Sequence, residues 1–103
     1  MATDHELEKL AIRVLCQGTP QGSVREIVIP LLRDYRWQSP LHQAVFKALV
    51  AIPSDDLSVL RDLLPAKLTR MGFPDVEWEE FFAPHSLSRD ESLVLVRRMV
   101  DSA

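Results

Sequence analysis

DYRWQSPLHQAVFKALVAIP, residues 34–53, is the most constraining run in the chain. Ser39 followed by Pro40 pairs a preferred N-cap with a preferred first helical residue, so a helix is expected to begin there abruptly. Leu41, Ala44, Val45, Ala48, Leu49 and Ile52 then recur at spacings of three, four and seven on one helical face, and Phe46 and Val50 widen it. A helix apolar around so much of its circumference needs neighbours on most sides. It is expected to be the central helix, about residues 40–52, of a small bundle.

Towards the N-terminus, Thr3 and Glu6 have capping-box spacing, and Leu7, Leu10, Ala11, Val14 and Leu15 form an apolar stripe. Glu6, Glu8, Lys9 and Arg13 are assigned to the wet side. Gly18 and Pro20 stop this first helix, which is expected over about residues 4–17. Ser23 and Glu26 repeat the capping-box spacing ahead of Val24, Ile27, Val28, Leu31 and Leu32, predicting a short helix over roughly 24–34, kinked or broken near Pro30. The run Ile27, Val28, Ile29 also suits a strand, but no other segment offers it a partner.

On the C-terminal side, Pro53 ends the central helix, and Ser54, Asp55 and Asp56 can cap the next. Leu57, Leu60, Leu64 and Leu68 face inward there, with Val59 and Leu63 at the edge. Pro65 either kinks or divides this element, and Gly72 and Pro74 close it. Asp75 is expected to cap a brief helix over VEWEEFF, which Pro84 stops. Ser88 and Glu91 form a third capping box for a last helix, with Leu93, Val96, Met99 and Val100 as its stripe, Leu95 widening it, and Arg89, Arg97 and Arg98 largely outside. The chain therefore reads as all-α: one domain over residues 1–103, a compact orthogonal bundle of five or six short helices.

Composition narrows the class. A domain of 103 residues buries roughly 60 to 70% of its unfolded surface without metals or disulfides. The lone Cys16 forms no internal disulfide, no apolar run approaches the ~20 residues that span a bilayer, and Asp4, Glu6 and Glu8 make the start too acidic for a signal peptide. A cytoplasmic location without membrane attachment is expected. A net charge of -3 argues against a bulk electrostatic grip on nucleic acid.

No catalytic, cofactor or metal constellation is expected. His5, within HELEK, lacks the second histidine four residues on that a metal-holding helix of this kind uses, and His42 and His85 lie far away on other elements. Cys16, beside Leu15 at a helix end, reads as a small buried apolar side chain rather than a nucleophile. Three glycines form no phosphate-cradling loop. Trp78, Phe81 and Phe82 lie within a turn of one another and suit either core packing or a partner-binding surface. Arg33, Arg36 and Lys47, or Arg89, Arg97 and Arg98, suit solvated faces or phosphate contact.

The order of these residues resembles the helical domain shared by the amino terminus of DnaB-type replicative helicases and the carboxy-terminal helicase-binding region of DnaG-type primases. AIRVLCQGTP, residues 11–20, is similar to the primase version's first helix and Pro-containing loop. Trp37, Pro40, His42, Val45 and Phe46 stand in the order both versions carry, with Trp37, Pro40, His42 and Phe46 expected to be structural. The acidic start at residues 55–60 is similar to the helicase version. Arg13 departs from the glycine usual in helicase versions, the interval from Gln17 to Trp37 is atypical, and no ATPase or primase catalytic portion accompanies the domain. The resemblance implies a non-enzymatic protein–protein interaction module whose partner is a replicative helicase, a primase or a second copy. The alternative is a small helical DNA-binding or regulatory protein, although Gln43 and Lys47 alone on the central helix are placed to read bases.

Overall fold

The computed structural model describes residues 4–52, 54 and 56–101, which form six α-helices and no strand. They are α1 (Asp4–Gln17), α2 (Arg25–Leu32), α3 (Pro40–Ala51), α4 (Leu57–Arg70), α5 (Glu79–Phe82) and α6 (Arg89–Asp101). Thr3, Pro53 and Asp55, three of the expected cap and stop residues, lie outside the described set. The all-α bundle expected from the apolar spacings is the observed architecture, and its Cα radius of gyration of 12.6 Å matches the ~13 Å of a folded chain of this length.

α3 begins as Ser39 and Pro40 dictate. The Ser39 hydroxyl accepts the His42 amide at 3.3 Å and Pro40 occupies the first turn, a cap of about 1 kcal/mol. Ala44, Val45, Phe46, Ala48, Leu49 and Ile52 are buried. Val50 is 45% exposed, so the expectation that it joins the buried face is corrected. α3 packs mainly on α1 and α4, and Val50 stays in solvent on the edge where it and Ile29 of α2 line an open groove. α1 shares the middle of the bundle, meeting α3, α4, α5 and α6, which explains why Ile12 and Cys16 are buried in addition to Leu7, Ala11, Val14 and Leu15.

Both internal prolines sit within continuous helices, Pro30 in α2 and Pro65 in α4. Each removes an amide that would have served the carbonyl four residues earlier, on Glu26 or Arg61; both of those residues are exposed, so the lost bond costs less than it would in the core. α2 starts at Arg25 rather than through a Ser23–Glu26 box. The Ser23 hydroxyl accepts the Arg25 amide, and Val24 stands at the N-cap without a side-chain bond. Leu31, expected inside, is exposed; the buried line is Val24, Val28 and Leu32. The Arg25 guanidinium donates through Nη2 to the carbonyls of Leu49 and Ile52, both at 2.8 Å, and so closes the C-terminus of α3 where its dipole is negative.

Aspartate and glycine bound α4. Asp56 accepts the Ser58 amide at 2.9 Å, and at the other end Phe73 N–H reaches Leu68 and Gly72 N–H reaches Thr69, the paired bonds of a Schellman ending with Gly72 at φ +95°. α5 is shorter than expected. Asp75 does not cap it, residues 74–77 are non-helical, and the four-residue helix follows Trp78. The expected capping box of α6 forms in full: Ser88 accepts the Glu91 amide, and Glu91 accepts the Ser88 amide. On α6 the buried line is Ser92, Val96 and Met99, and Val100 is exposed. Ser92 tolerates burial because its hydroxyl donates to the Ser88 carbonyl at 2.7 Å.

Candidate functional site

Glu8, assigned to solvent by its charge, is 0% exposed, and His42 beside it is 1% exposed. Glu8 shares a helical face with Ala11, Ile12 and Leu15 at spacings of three, four and seven, and that spacing was the available signal. Four donors surround its two oxygens. Oε2 accepts Tyr35 Oη–H at 2.8 Å and the Gln38 amide at 2.6 Å, while Oε1 accepts His42 Nδ1–H at 2.9 Å and the Ser39 amide at 3.3 Å. Such a set suits an ionised carboxylate, which only accepts. Burial holds the His42 pKa below its ordinary 6.5, against the opposing pull of the Glu8 hydrogen bond, with His5 and Lys9 adding to the depression. The imidazole is therefore a neutral donor at pH 7.

A carboxylate oriented on a histidine resembles half of a catalytic triad, but the geometry here is that of a tie. Both groups are closed to solvent, and no hydroxyl or thiol is bonded to the His42 ring among the described residues. What the cluster does is hold the segment between α2 and α3 against α1, placing Ser39 to start α3. Trp37 contributes to the same corner, 5.1 Å from Tyr35 edge-on and 5.1 Å from Phe46. Of the residues carrying the family resemblance, His42 and Phe46 are thus buried, Trp37 is half-buried, and Pro40 is exposed at the first turn.

The other histidines have separate duties. His5 is exposed with its ring 4.5 Å from that of His42. His85 donates from Nε2 to the Gly18 carbonyl at 2.7 Å and accepts the Leu87 amide at Nδ1, which fixes its neutral tautomer and pins the segment before α6 to the end of α1. Gln17 pins the neighbouring stretch through Nε2, donating to the carbonyls of Phe81 and Ala83. Burial pushes the Cys16 thiol up to about 12, so it is un-ionised at neutral pH. Among the described residues no group of three or more His, Cys, Asp or Glu side chains is placed to hold a metal ion, and no helix is long and apolar enough to cross a membrane.

Within the aromatic trio, Phe81 and Phe82 are core residues and Trp78 alone keeps exposed surface, stacked on Phe82 at 5.6 Å. The Arg61 guanidinium lies over the Phe82 ring, 5.0 Å from its centre. A partner approaching this corner would meet Trp78 and little of the other two.

Apolar surface is available elsewhere, along the uncovered edge of α3. Ile29, Phe46 and Val50 line a groove of about 180 Å³ between α2 and α3, with Arg33 and Lys47 at its sides. Lys47 also borders a second groove of about 270 Å³, where Ala48 and Ala51 of α3 face Lys67, Arg70 and Met71 at the end of α4. Each lies below the ~300–1,000 Å³ of clefts that enclose a small molecule, and is of a size for individual side chains. Apolar periodicity places Val50 with the buried face of α3 and therefore gives no sign of this open edge.

Comparison with known protein families, curated proteins and solved structures gives no match for this chain.

Proposed function

We propose that this protein is a non-enzymatic interaction module of the helicase–primase docking type, as its sequence resemblance implies, which works by burying the open edge of α3 against another protein. The observation carrying this reading is the apolar and small surface on that edge: Val50, 45% exposed, lines the first groove with Ile29 and Phe46; Ala51 and Met71, the latter 41% exposed, border the second; and Lys47 is common to both. Exposed apolar side chains set in concave surface beside charged ones are what partner surfaces offer. The expected setting is the cytoplasm, with replicative helicase, primase or a second copy as partner.

The test is capture of purified replicative helicase and primase from the source organism by the immobilised chain, with Val50→Glu as the comparison. Capture by the wild-type chain that the substitution reduces at least tenfold, with circular dichroism unchanged, supports the reading. Capture of neither protein, together with a strictly monomeric chain, removes the docking role. A second reading, a DNA-binding protein, draws on the cations beside the same grooves. Salt-dependent retardation of duplex DNA would support it.

A further inference from the structure

Charge on the α3 edge is one-sided. Arg33 and Lys47 flank the first groove, Lys47, Lys67 and Arg70 flank the second, and among the described residues no carboxylate lines either. Four of the chain's 12 cations thus sit on one face of a protein whose 15 acidic residues outnumber them. Half of the other eight cations hold contacts within the fold: Lys9 pairs with Glu80 at 3.3 Å, Arg13 donates to the Glu80 carbonyl, Arg25 closes α3 and Arg61 covers Phe82. Among the described residues none of the four groove cations has an ion-pair or hydrogen-bonded partner for its side chain. Two of them, Lys67 and Arg70, sit in the last turn of α4, where the helix dipole accounts for them singly; it does not account for Lys47, in the middle of α3.

We infer that the paired grooves across Lys47 dock an acidic amphipathic segment of a partner protein, its apolar side chains seated in the two grooves and its carboxylates meeting Arg33, Lys47, Lys67 and Arg70. This rests on the interaction-module reading and names the chemistry of the partner. The apolar floor selects a peptide over nucleic acid, because Ile29, Phe46, Val50 and Met71 offer a phosphate backbone nothing to bond and base edges no hydrogen-bonding group. The cations select acid over base: a lysine-bearing segment would desolvate beside four like charges. An amphipathic helix fits the spacing, since it presents apolar side chains at three- and four-residue intervals with carboxylates between them.

Selection of a random 16-residue peptide display library on the intact chain tests this, followed by fluorescence anisotropy with the enriched peptides. Sequences rich in Asp and Glu with apolar residues three or four apart are expected. Their affinity should fall at least tenfold for Lys47→Glu/Arg70→Glu and for Val50→Glu, fall with added salt, and stay unchanged for Arg97→Glu on α6. Enrichment of neutral or basic peptides, no enrichment, or binding indifferent to the Lys47 and Arg70 reversals would overturn the assignment. So would tighter binding of a 20-base-pair DNA duplex at the same face, or concentration-dependent self-association abolished by the reversals, which would give the face to a second copy. Helicase or primase capture that survives Lys47→Glu/Arg70→Glu but not Val50→Glu leaves the docking role standing and removes only the acidic partner; loss of capture by the wild-type chain removes the docking role itself.

Discussion

Glu8 gathers four donors, and two of them are the amides of Gln38 and Ser39 that lead into α3. Replacing it with Ala strips the buried His42 Nδ1–H of its acceptor, a loss of about 1–3 kcal/mol where water cannot substitute, and removes the tie on the part-buried amides of Gln38 and Ser39 that fixes the entry to α3. Glu8→Ala is therefore expected to destabilise the fold by roughly 3 kcal/mol or more, and Glu8→Gln by less, in urea unfolding followed by circular dichroism. His42 gives the same corner a pH dependence. Its folded pKa lies below 6.5, so between the two values the unfolded chain binds more protons. Stability is fully present above pH 6.5 and declines as pH falls from there through the folded value. His42→Gln, which keeps a neutral donor, should show a smaller loss between pH 7.5 and 5.5 than the wild-type chain. Equal losses would locate the pH dependence elsewhere.

At the scale of elements, the ends of helices were more legible than their faces. Ser39–Pro40, Ser88–Glu91 and Gly72 act through residues one to three positions away, so local sequence contains the whole of the interaction. Ser23–Glu26 failed because Arg25 reaches across to α3 and the helix begins one residue later, a tertiary contact with no local sign. Two glycines give a graded test. Gly72 has φ +95° with no atom within 4 Å of an added Cβ, whereas Gly18 has φ +71° and would bring a Cβ to 3.2 Å from the Gly22 carbonyl oxygen. Gly72→Ala is expected to cost about 1–2 kcal/mol from backbone strain, and Gly18→Ala more, as shifts in the urea midpoint. Ser39→Ala should cost about 1 kcal/mol.

For the whole molecule, the informative asymmetry is that α1 is enclosed and α3 is not. α1 meets four helices, which accounts for the burial of Glu8, Ile12 and Cys16; α3 keeps Lys47, Val50 and Ala51 in solvent although its sequence is the more apolar of the two. Lys47→Glu/Arg70→Glu changes exposed side chains that have no ion-pair or hydrogen-bonding partner among the described residues, so stability should fall by no more than about 1–2 kcal/mol, chiefly from an acid at the negative end of α4, while partner binding changes tenfold. A large stability loss would show those cations to be structural. By itself the sequence determined the class, all-α, together with the positions of most helices and the caps of three of them, because apolar periodicity and capping act over a few residues. The tertiary structure alone decided which apolar positions stay open and which acid goes inside. Val50 and Glu8 each lie at helical spacing from buried residues, and whether such a position is covered depends on where a helix distant in sequence lies; no interval along the chain records that.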